Sequence, residues 1–162
     1  MLELRAVGYG HPDVAALVAA VQREYVLRYG GEDTTPVDPT EFSAPQGFFT
    51  VGYVRGVPVA CGGWRAREAE PGQPLRDGDA EIKRMFVQAG HRGRGHARAI
   101  LGELERTAAR AGRRRAVLET GTRQPEAIAL YRSADYVPVA PFGVYREAPG
   151  CRCFAKILQR YG

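Results

Sequence analysis

The sequence lacks features that would place it in several large classes of protein. Lysine occurs only at Lys83 and Lys156, and no Gly-Lys pair exists, which excludes the phosphate loop of nucleoside-triphosphate-binding proteins. Cysteines number three, and an odd count in a chain of this size argues against a disulfide framework. No apolar run approaches the roughly 20 residues of a transmembrane helix, so no membrane partner is expected.

The composition predicts a globular protein with one core. Hydrophobic residues make up 44% of the chain and charged residues 25%, which are ordinary values for soluble domains. The length of 162 residues suits a single domain spanning 1–162. The first residues, Met1 to Arg5, form no apolar leader, so cytoplasmic residence is the expectation.

Cysteine and histidine do not have the spacing of a metal site. Cys151 and Cys153 are two positions apart, so in a strand both thiols would lie on the same face. His11, His91 and His96 add no ligand spacing. We therefore expect buried core cysteines and no bound metal.

Positive charge is concentrated in the middle of the chain. Residues 84–115 hold nine arginines and two glutamates, whereas the rest of the chain has a net charge of −2. A highly anionic small ligand, a nucleic acid and a solvated arginine-rich helix face would each explain this patch. Nucleic-acid surfaces interleave aromatic side chains with basic ones, and residues 88–115 contain no aromatic. A nucleic-acid partner is therefore not expected.

Hydrophobic periodicity predicts an α/β fold. Strands are expected to alternate with helices, and a strand–helix–strand unit around residues 82–120 implies a parallel pair with a right-handed crossover. The fold class is a mixed, mostly antiparallel sheet with a central parallel strand pair and helices on both faces. The predicted strands are 2–7, 48–54, 57–65, 82–87, 115–120, 136–139 and 151–158, and the predicted helices are 11–28, 97–111 and 125–132, with a short one near 38–42.

The segment from Glu81 to Ala97 predicts an anion-binding turn. A strand leads into a turn containing Gly93 and Gly95, and a helical pattern follows. The first turn of a helix offers unpaired N–H groups and the positive end of the helix dipole. Glycines let a ligand approach the backbone closely, and nearby arginines suit phosphate. Together these features favour binding of a phosphate or diphosphate.

Two other interpretations of this turn remain open from spacing alone. A dinucleotide-binding loop needs a third glycine, but Arg98 stands in that position. Glu119, after the next strand, could then act as the ribose-binding acid. An arginine-rich glycine turn without any ligand is the other interpretation.

The glycine turn also resembles a known signature. The sequence Arg92-Gly93-Arg94-Gly95-His96-Ala97 is similar to the Arg/Gln-x-x-Gly-x-Gly/Ala motif of the GNAT superfamily of N-acetyltransferases. Residues 118–133 resemble the second CoA-contacting segment of that family, with Gln124 in the place of an asparagine. Asp135 replaces a glycine, and aspartate tolerates the left-handed backbone that such a position requires.

The resemblance implies a GNAT-like fold, acetyl-CoA as cosubstrate, and roles for individual residues. The backbone of residues 92–97 would hold the diphosphate, Phe86 and Val87 would pair with the pantetheine arm, and Gln124 would contact the coenzyme. Tyr131 would protonate the leaving thiolate. Glu81 would accept the proton of the amine. A free amide near Val87 would stabilise the oxyanion.

The implied activity is transfer of an acetyl group to a primary amine of a small molecule or peptide by direct attack. An acyl-CoA sensor of the same fold without catalysis is the alternative. A homodimer is expected because members of the family that the sequence resembles often form one. Residues 1–83 carry twelve acidic and eight basic side chains, so a cationic acceptor is one hypothesis and scattered solvated acids are the other explanation. Side chains proposed to face the acceptor are Glu24, Tyr25, Asp38, Glu41, Phe42, Trp64 and Tyr145.

Overall fold

One seven-stranded sheet organises the computed structural model, which describes residues 1–159. Its strand order is β1-β2-β3-β4-β5-β7-β6. The strands are β1 Leu2–Ala6, β2 Gly47–Val54, β3 Val57–Arg67, β4 Asp79–Val87, β5 Arg115–Gly121, β6 Val137–Val139 and β7 Cys151–Ile157. The helices are α1 Pro12–Tyr29, α2 His96–Arg110 and α3 Pro125–Ser133, with short 3₁₀ helices at Pro39–Phe42 and Ala89–His91.

The pairing of these strands confirms the predicted fold class. β4 and β5 run parallel, and the other neighbouring pairs are antiparallel. All predicted elements are present in the predicted order. The largest difference is that β4 begins at Asp79 rather than at residue 82.

Helices cover both faces of the sheet, as predicted. On one face, α1 buries Val14, Leu17 and Val21 against an aromatic cluster of the sheet. On the other face, α2 buries Ile100 and Leu104, and each such side chain contributes about 1.5–3 kcal/mol on leaving water. Within residues 1–159, the helices are too short or too polar to span a lipid bilayer.

Positive-φ positions end the helices where the sequence requires them. Gly30, with φ of 79°, caps α1, and its N–H donates to the carbonyl of Val26. Gly112 has φ of 85° just after α2, as its position in the sequence predicts. Asp135 follows α3 with φ of 71°. The replacement of the family's glycine at this position therefore keeps the left-handed backbone.

The parallel pair β4–β5 separates after three residues. Asp79, Ala80 and Glu81 face Arg115, Ala116 and Val117, and no pairing continues beyond Glu81 among the described residues. A buried ion pair holds the closed end, because Arg115 Nε and Nη2 each lie 2.8 Å from a carboxylate oxygen of Asp79. The two strands therefore diverge from a fixed point and leave a fork in the middle of the sheet.

Candidate functional site

A cavity of about 710 Å³ lies in the fork between β4 and β5. Ile82 to Met85 form one wall and Leu118 to Gly121 form the other. Four further segments complete the cavity: the end of α1, the loop after it, α3 with the residues before it, and the loop before β7. Their lining residues are Tyr25, Tyr29, Gly31, Glu32, Asp33, Thr122, Arg123, Gln124, Ala127, Tyr131, Tyr145, Ala148, Pro149, Gly150 and Cys151. We call this cavity the fork cleft.

A bulge in β4 shapes one wall of the fork cleft. Cys61 pairs with Phe86 but Gly63 pairs with Lys83, so β4 has one residue more than β3 in this interval. Arg84 lies in the extra segment with φ of 60°, a conformation that is uncommon for a residue with a side chain. Such bulges bend a strand and increase its twist, so this one turns the end of β4 away from β5.

The amide of Val87 faces the open side of β4. The N–H of Gln88 donates to the carbonyl of Val59 in β3, with 2.8 Å between N and O. Because successive peptide groups of a strand alternate between its two edges, the amide of Val87 points to the edge that β5 has left. The predicted free strand amide is therefore present at the fork.

The glycine turn presents free backbone N–H groups. Gly93 and Gly95 have φ of 77° and 82°, so the turn needs glycine for its backbone conformation. Helix α2 begins at His96, one residue before the predicted start, and no side chain caps it. Among residues 1–159, the amides of His96, Ala97 and Arg98 donate to no acceptor. These donors and the helix dipole suit a diphosphate.

Arginine side chains at this turn have different functions. Arg92 Nε donates to the carbonyl of Val87 at 3.0 Å and Nη2 donates to Glu24 at 2.6 Å. Arg92 therefore fastens the turn to the end of β4 and to α1. Arg94 is exposed and has no acidic partner among residues 1–159, so it can approach a phosphate.

His96 lies half-buried at the start of α2. Burial, together with His91 and Arg94 nearby, lowers the pKa of His96. Its Nε2 has no hydrogen-bond partner within the described range 1–159. A neutral ring beside the amides of the turn fits the predicted place next to the diphosphate.

Tyr131 and Gln124 both line the fork cleft, as the resemblance implied. The Tyr131 hydroxyl lies 4.0 Å from the sulfur of Met85, and burial raises the pKa of Tyr131 to about 12. Tyr131 is therefore protonated at neutral pH and can donate a proton. Gln124 Nε2 donates to the Tyr29 hydroxyl at 3.1 Å, which joins the start of α3 to the end of α1.

Glu81 is buried beside the fork cleft, and one of its carboxylate oxygens pairs with two arginines. Its side chain is 2% exposed, and Oε1 accepts from Arg65 Nε at 2.9 Å and from Arg67 Nη1 at 2.7 Å. The residues that line the cleft do not include Glu81. The predicted role of Glu81 as base stays a prediction, but these contacts give it a structural role.

Glu119 lies in β5, and its carboxylate lines the fork cleft. Its side chain is 11% exposed, and Oε1 lies 4.0 Å from Lys83 Nζ. Oε2 has no hydrogen-bond partner in the described chain. Burial raises the pKa of Glu119 to about 7; Lys83 opposes that rise, whereas the charges of Glu81 and Asp33 add to it. A carboxylate with such a pKa can accept and release a proton at neutral pH.

The sequence did not identify Glu119 as a base, although it contained a signal. Ala116 and Leu118 face the α2 side of the sheet, and Val117 faces the opposite side. Glu119 follows on that second face, where an apolar residue is expected in a central strand. A charged residue in the centre of a buried strand is a candidate for function.

Two cysteines lie next to Glu119. The sulfurs of Cys151 and Cys153 are 3.9 Å apart, which confirms that both thiols share a face and belong to the core. These sulfurs and a Glu119 oxygen lie within 4.8 Å of one another. Burial raises the pKa of both thiols, that of Cys153 to about 12. Three donors are fewer than the four of a structural zinc site.

Most of the side chains that were proposed to face the acceptor do not line the fork cleft. Trp64 is a core residue, and its Nε1 donates to Thr107; Phe42 is also buried in the core. Glu24 pairs with Arg28 and Arg92, Glu41 with Arg65, and Asp38 caps a 3₁₀ helix. Tyr25 and Tyr145 do line the cleft. Glu24, Asp38 and Glu41 are therefore engaged in structural contacts.

The family is shown by comparison with known proteins. A model of the Acetyltransferase (GNAT) family matches residues 16–136, and the chain belongs to this family. The match includes α2, α3 and the two strand walls of the fork cleft. Membership favours an acyltransferase over the dinucleotide-loop alternative.

Individual relatives agree with this placement. The chain is 34% identical over 136 residues to an IAA acetyltransferase of Azospirillum brasilense, with 84% of each chain covered. A protein assigned as an acyl-CoA N-acyltransferase from Klebsiella pneumoniae superposes with a TM-score of 0.78 at 25% identity, covering 98% of this chain and 99% of that one. An IAA acetyltransferase from Bacillus cereus shares the fold with a TM-score of 0.67 at 16% identity, covering 98% and 100%.

Proposed function

We propose that the protein transfers an acetyl group from acetyl-CoA to a primary amine by direct attack. The observation that carries this proposal is the fork cleft itself. It contains Glu119 and Tyr131, and one of its walls is β4, the strand that leads on to the free amides of the glycine turn. A coenzyme whose diphosphate binds those amides would extend its arm along β4 toward these two side chains.

Chemistry requires a base first, because an alkylammonium of pKa near 10.4 cannot attack a thioester. Glu119 would take the proton from the nitrogen, directly or through a water. The nitrogen then forms its bond to the thioester carbon, and the Val87 amide would donate to the oxygen that becomes negative. When the carbon–sulfur bond breaks, Tyr131 would give its proton to the sulfur. The nitrogen still carries one proton too many, which the Tyr131 phenolate would take up directly or through a water, and solvent then removes the proton of Glu119.

Replacing Gly95 with aspartate is expected to weaken acetyl-CoA binding by about 5- to 800-fold. Asparagine and aspartate both tolerate positive φ, and the space around a Cβ at Gly95 is open. The two variants therefore differ mainly in charge. Only aspartate would repel the diphosphate, with an energy of about 1–4 kcal/mol for charges about 4 Å apart near a surface. Calorimetric titration of Gly95→Asp and Gly95→Asn with acetyl-CoA measures the difference, and equal affinities would remove the diphosphate from this turn.

Replacing Tyr131 with phenylalanine is expected to lower kcat by about 10- to 100-fold while the Kd for acetyl-CoA stays within about threefold. The hydroxyl makes one weak contact, with Met85, so the fold loses little. Single-turnover thiol release and calorimetry measure the two quantities. Full activity in the variant would assign Tyr131 to packing.

A thiol-release assay with acetyl-CoA and a broad library of amines tests the proposed function as a whole. Release that depends on both substrates supports it. Binding of acetyl-CoA without release with any amine would instead favour the sensor of the same fold. Cytoplasmic location and a homodimer stay predictions from the sequence, and size-exclusion chromatography with light scattering tests the second.

A further inference from the structure

We infer that the acceptor is an amine that carries a carboxylate close to its nitrogen, that is, an α-amino acid. Lys83 and Arg84 form the subsite for that carboxylate, beside Glu119. This inference rests on the proposed acetyl transfer and specifies its substrate class. It reverses the charge that the acidic N-terminal half suggests, because Glu24 and Glu41 pair outside the cleft and Asp33, inside it, is shared by two cations.

Lys83 and Arg84 are buried cations in the wall of the fork cleft. Each side chain is 6% exposed. They share one carboxylate oxygen, since Asp33 Oδ2 lies 3.1 Å from Lys83 Nζ and 3.3 Å from Arg84 Nη1. Two buried cations on one carboxylate leave an excess of positive charge. Charges in such a place are normally paired.

The guanidinium of Arg84 is unusually short of acceptors. Among the described residues, the Arg84 side chain donates to Asp33 through Nη1, and its Nε has no hydrogen-bond acceptor. A guanidinium has five N–H donors, and buried donors are nearly always hydrogen-bonded. A carboxylate is the ligand that best matches the planar fork of an arginine.

Asp33 is held in place by hydrogen bonds of its side chain and its backbone. Its Oδ1 accepts from the N–H of Thr35 at 2.9 Å. Its own N–H donates to Gln22 Oε1, and its carbonyl accepts from Gln22 Nε2. The loop after α1 therefore holds Asp33 rigidly, so Asp33 positions Lys83 and Arg84 on the cleft wall.

Proton transfer in the cleft leaves the excess of positive charge in place. While Glu119 is ionised, its charge 4.0 Å from Lys83 faces both the buried cations and the ammonium of the acceptor. When Glu119 accepts the proton of the amine, the carboxylate and the ammonium become neutral together, so the net charge beside Lys83 and Arg84 stays positive. A carboxylate on the acceptor restores the balance, whereas a second cation on the acceptor adds to the repulsion.

The spacing favours an α-amino acid over longer amino acids. Glu119 must be near the nitrogen, and Lys83 is 4.0 Å from Glu119. The carboxylate of the acceptor must therefore lie within a few ångströms of its nitrogen, as it does when one carbon separates them. Tyr25 and Tyr145 line the adjoining part of the cleft and would contact the side chain.

Acetylation of matched acceptors tests the inference with the wild-type protein. Thiol release is measured with L-phenylalanine, phenylalanine amide and 2-phenylethylamine, and with the alanine, leucine and tyrosine sets built the same way. We expect kcat/KM to be about 10- to 100-fold higher for the acid than for its amide, as for a charged hydrogen bond. A glycine, β-alanine and 4-aminobutyrate series is expected to decline with length.

Arg84→Gln is expected to remove that preference, because it keeps a side chain of similar length without the charge. Its kcat/KM for acids should fall about 10- to 100-fold relative to its kcat/KM for amides. Arg84→Lys should restore part of the preference. The control Arg146→Gln removes an exposed arginine whose Nη1 donates to the Gly143 carbonyl in its own loop, and it should leave every ratio unchanged.

The outcomes separate the two proposals. Acetylation of amides and simple amines as fast as acids overturns the carboxylate subsite and leaves the acetyl transfer intact. A wild-type preference for acids that persists in a folded Arg84→Gln protein overturns the assignment to Arg84. Absence of thiol release with every acceptor overturns the proposed function and this inference together. If Arg84→Gln does not fold, the wild-type series alone decides.

Discussion

Replacing Glu119 with glutamine is expected to lower kcat/KM at neutral pH by about 10²- to 10⁴-fold, the usual contribution of a general base. Glutamine keeps the shape of the side chain but cannot accept a proton. The loss should appear in kcat rather than in acetyl-CoA affinity, because Glu119 lies in β5, outside the glycine turn. Steady-state kinetics and calorimetry with acetyl-CoA measure the two effects.

The pH dependence of kcat/KM tests whether Glu119 acts as the base. A base must be ionised, so kcat/KM of the wild-type protein should rise with pH through about 7, where burial sets the pKa of Glu119, and level off above it. In Glu119→Gln this rise should disappear, provided the acceptor stays protonated over the range tested. A wild-type profile that is flat between pH 5.5 and 8.5, or retained in the variant, would exclude Glu119 as the base.

The same raised pKa predicts a gain in stability for the variant. Because the folded carboxyl holds its proton up to about pH 7 rather than 4.5, the folded state binds more protons than the unfolded state in this window. Stability contributed by Glu119 therefore falls as pH rises from 4.5 through 7. At about 1.4 kcal/mol per pH unit, Glu119→Gln should be more stable than wild type by about 3 kcal/mol above pH 8, and thermal unfolding checks this.

Replacing Glu81 with glutamine is expected to lower the free energy of unfolding by about 3–5 kcal/mol. Removing one partner of a buried ion pair leaves the other charge without compensation. Arg65 is 6% exposed and Arg67 is 19% exposed, and both donate to the same oxygen of Glu81. Denaturation by urea, followed by circular dichroism, measures the loss.

Glu70→Gln is the matched control for Glu81. Glu70 also pairs with Arg67, at 2.8 Å, but its side chain is 49% exposed, so its loss should cost less than about 1 kcal/mol. If Glu81→Gln unfolds like wild type and instead loses activity mainly at neutral pH, Glu81 is the base that the sequence resemblance implied. A stability loss with a normal pH profile assigns it to structure.

The elements around the glycine turn were predictable because their signals are local. Periodicity marks α2, glycines at positive φ mark the turn and the end of the helix, and a strand on each side implies the parallel pair. Gly93 and Gly95 could therefore be named from their spacing, whereas Tyr131 and Gln124 were named from the resemblance to the GNAT family. The free amide of Val87 follows from the same strand, once the divergence of β5 is known.

The base and the acceptor side chains depend on contacts between distant segments. Glu119 pairs with Cys153 across β5 and β7, and the late loop brings Gly143 against its carboxylate. Periodicity gives the face of a residue but not its neighbours there. Likewise, Asp33 reaches Lys83 and Arg84 across about 50 residues of sequence. A count of acids in the N-terminal half takes no account of such pairings, so the count and the contacts favour acceptors of opposite charge.

The extra residue in β4 has a genetic consequence. Pairing with β3 shifts between Cys61 and Gly63 because Arg84 adds one position, and the strand leaves its parallel neighbour at the same level. We expect that deletion of a single codon there would bring the two strands back into step and close the sheet. The space for a ligand in the centre of this sheet would then depend on a single inserted residue. An insertion or deletion of three nucleotides could create or remove that space in one evolutionary event.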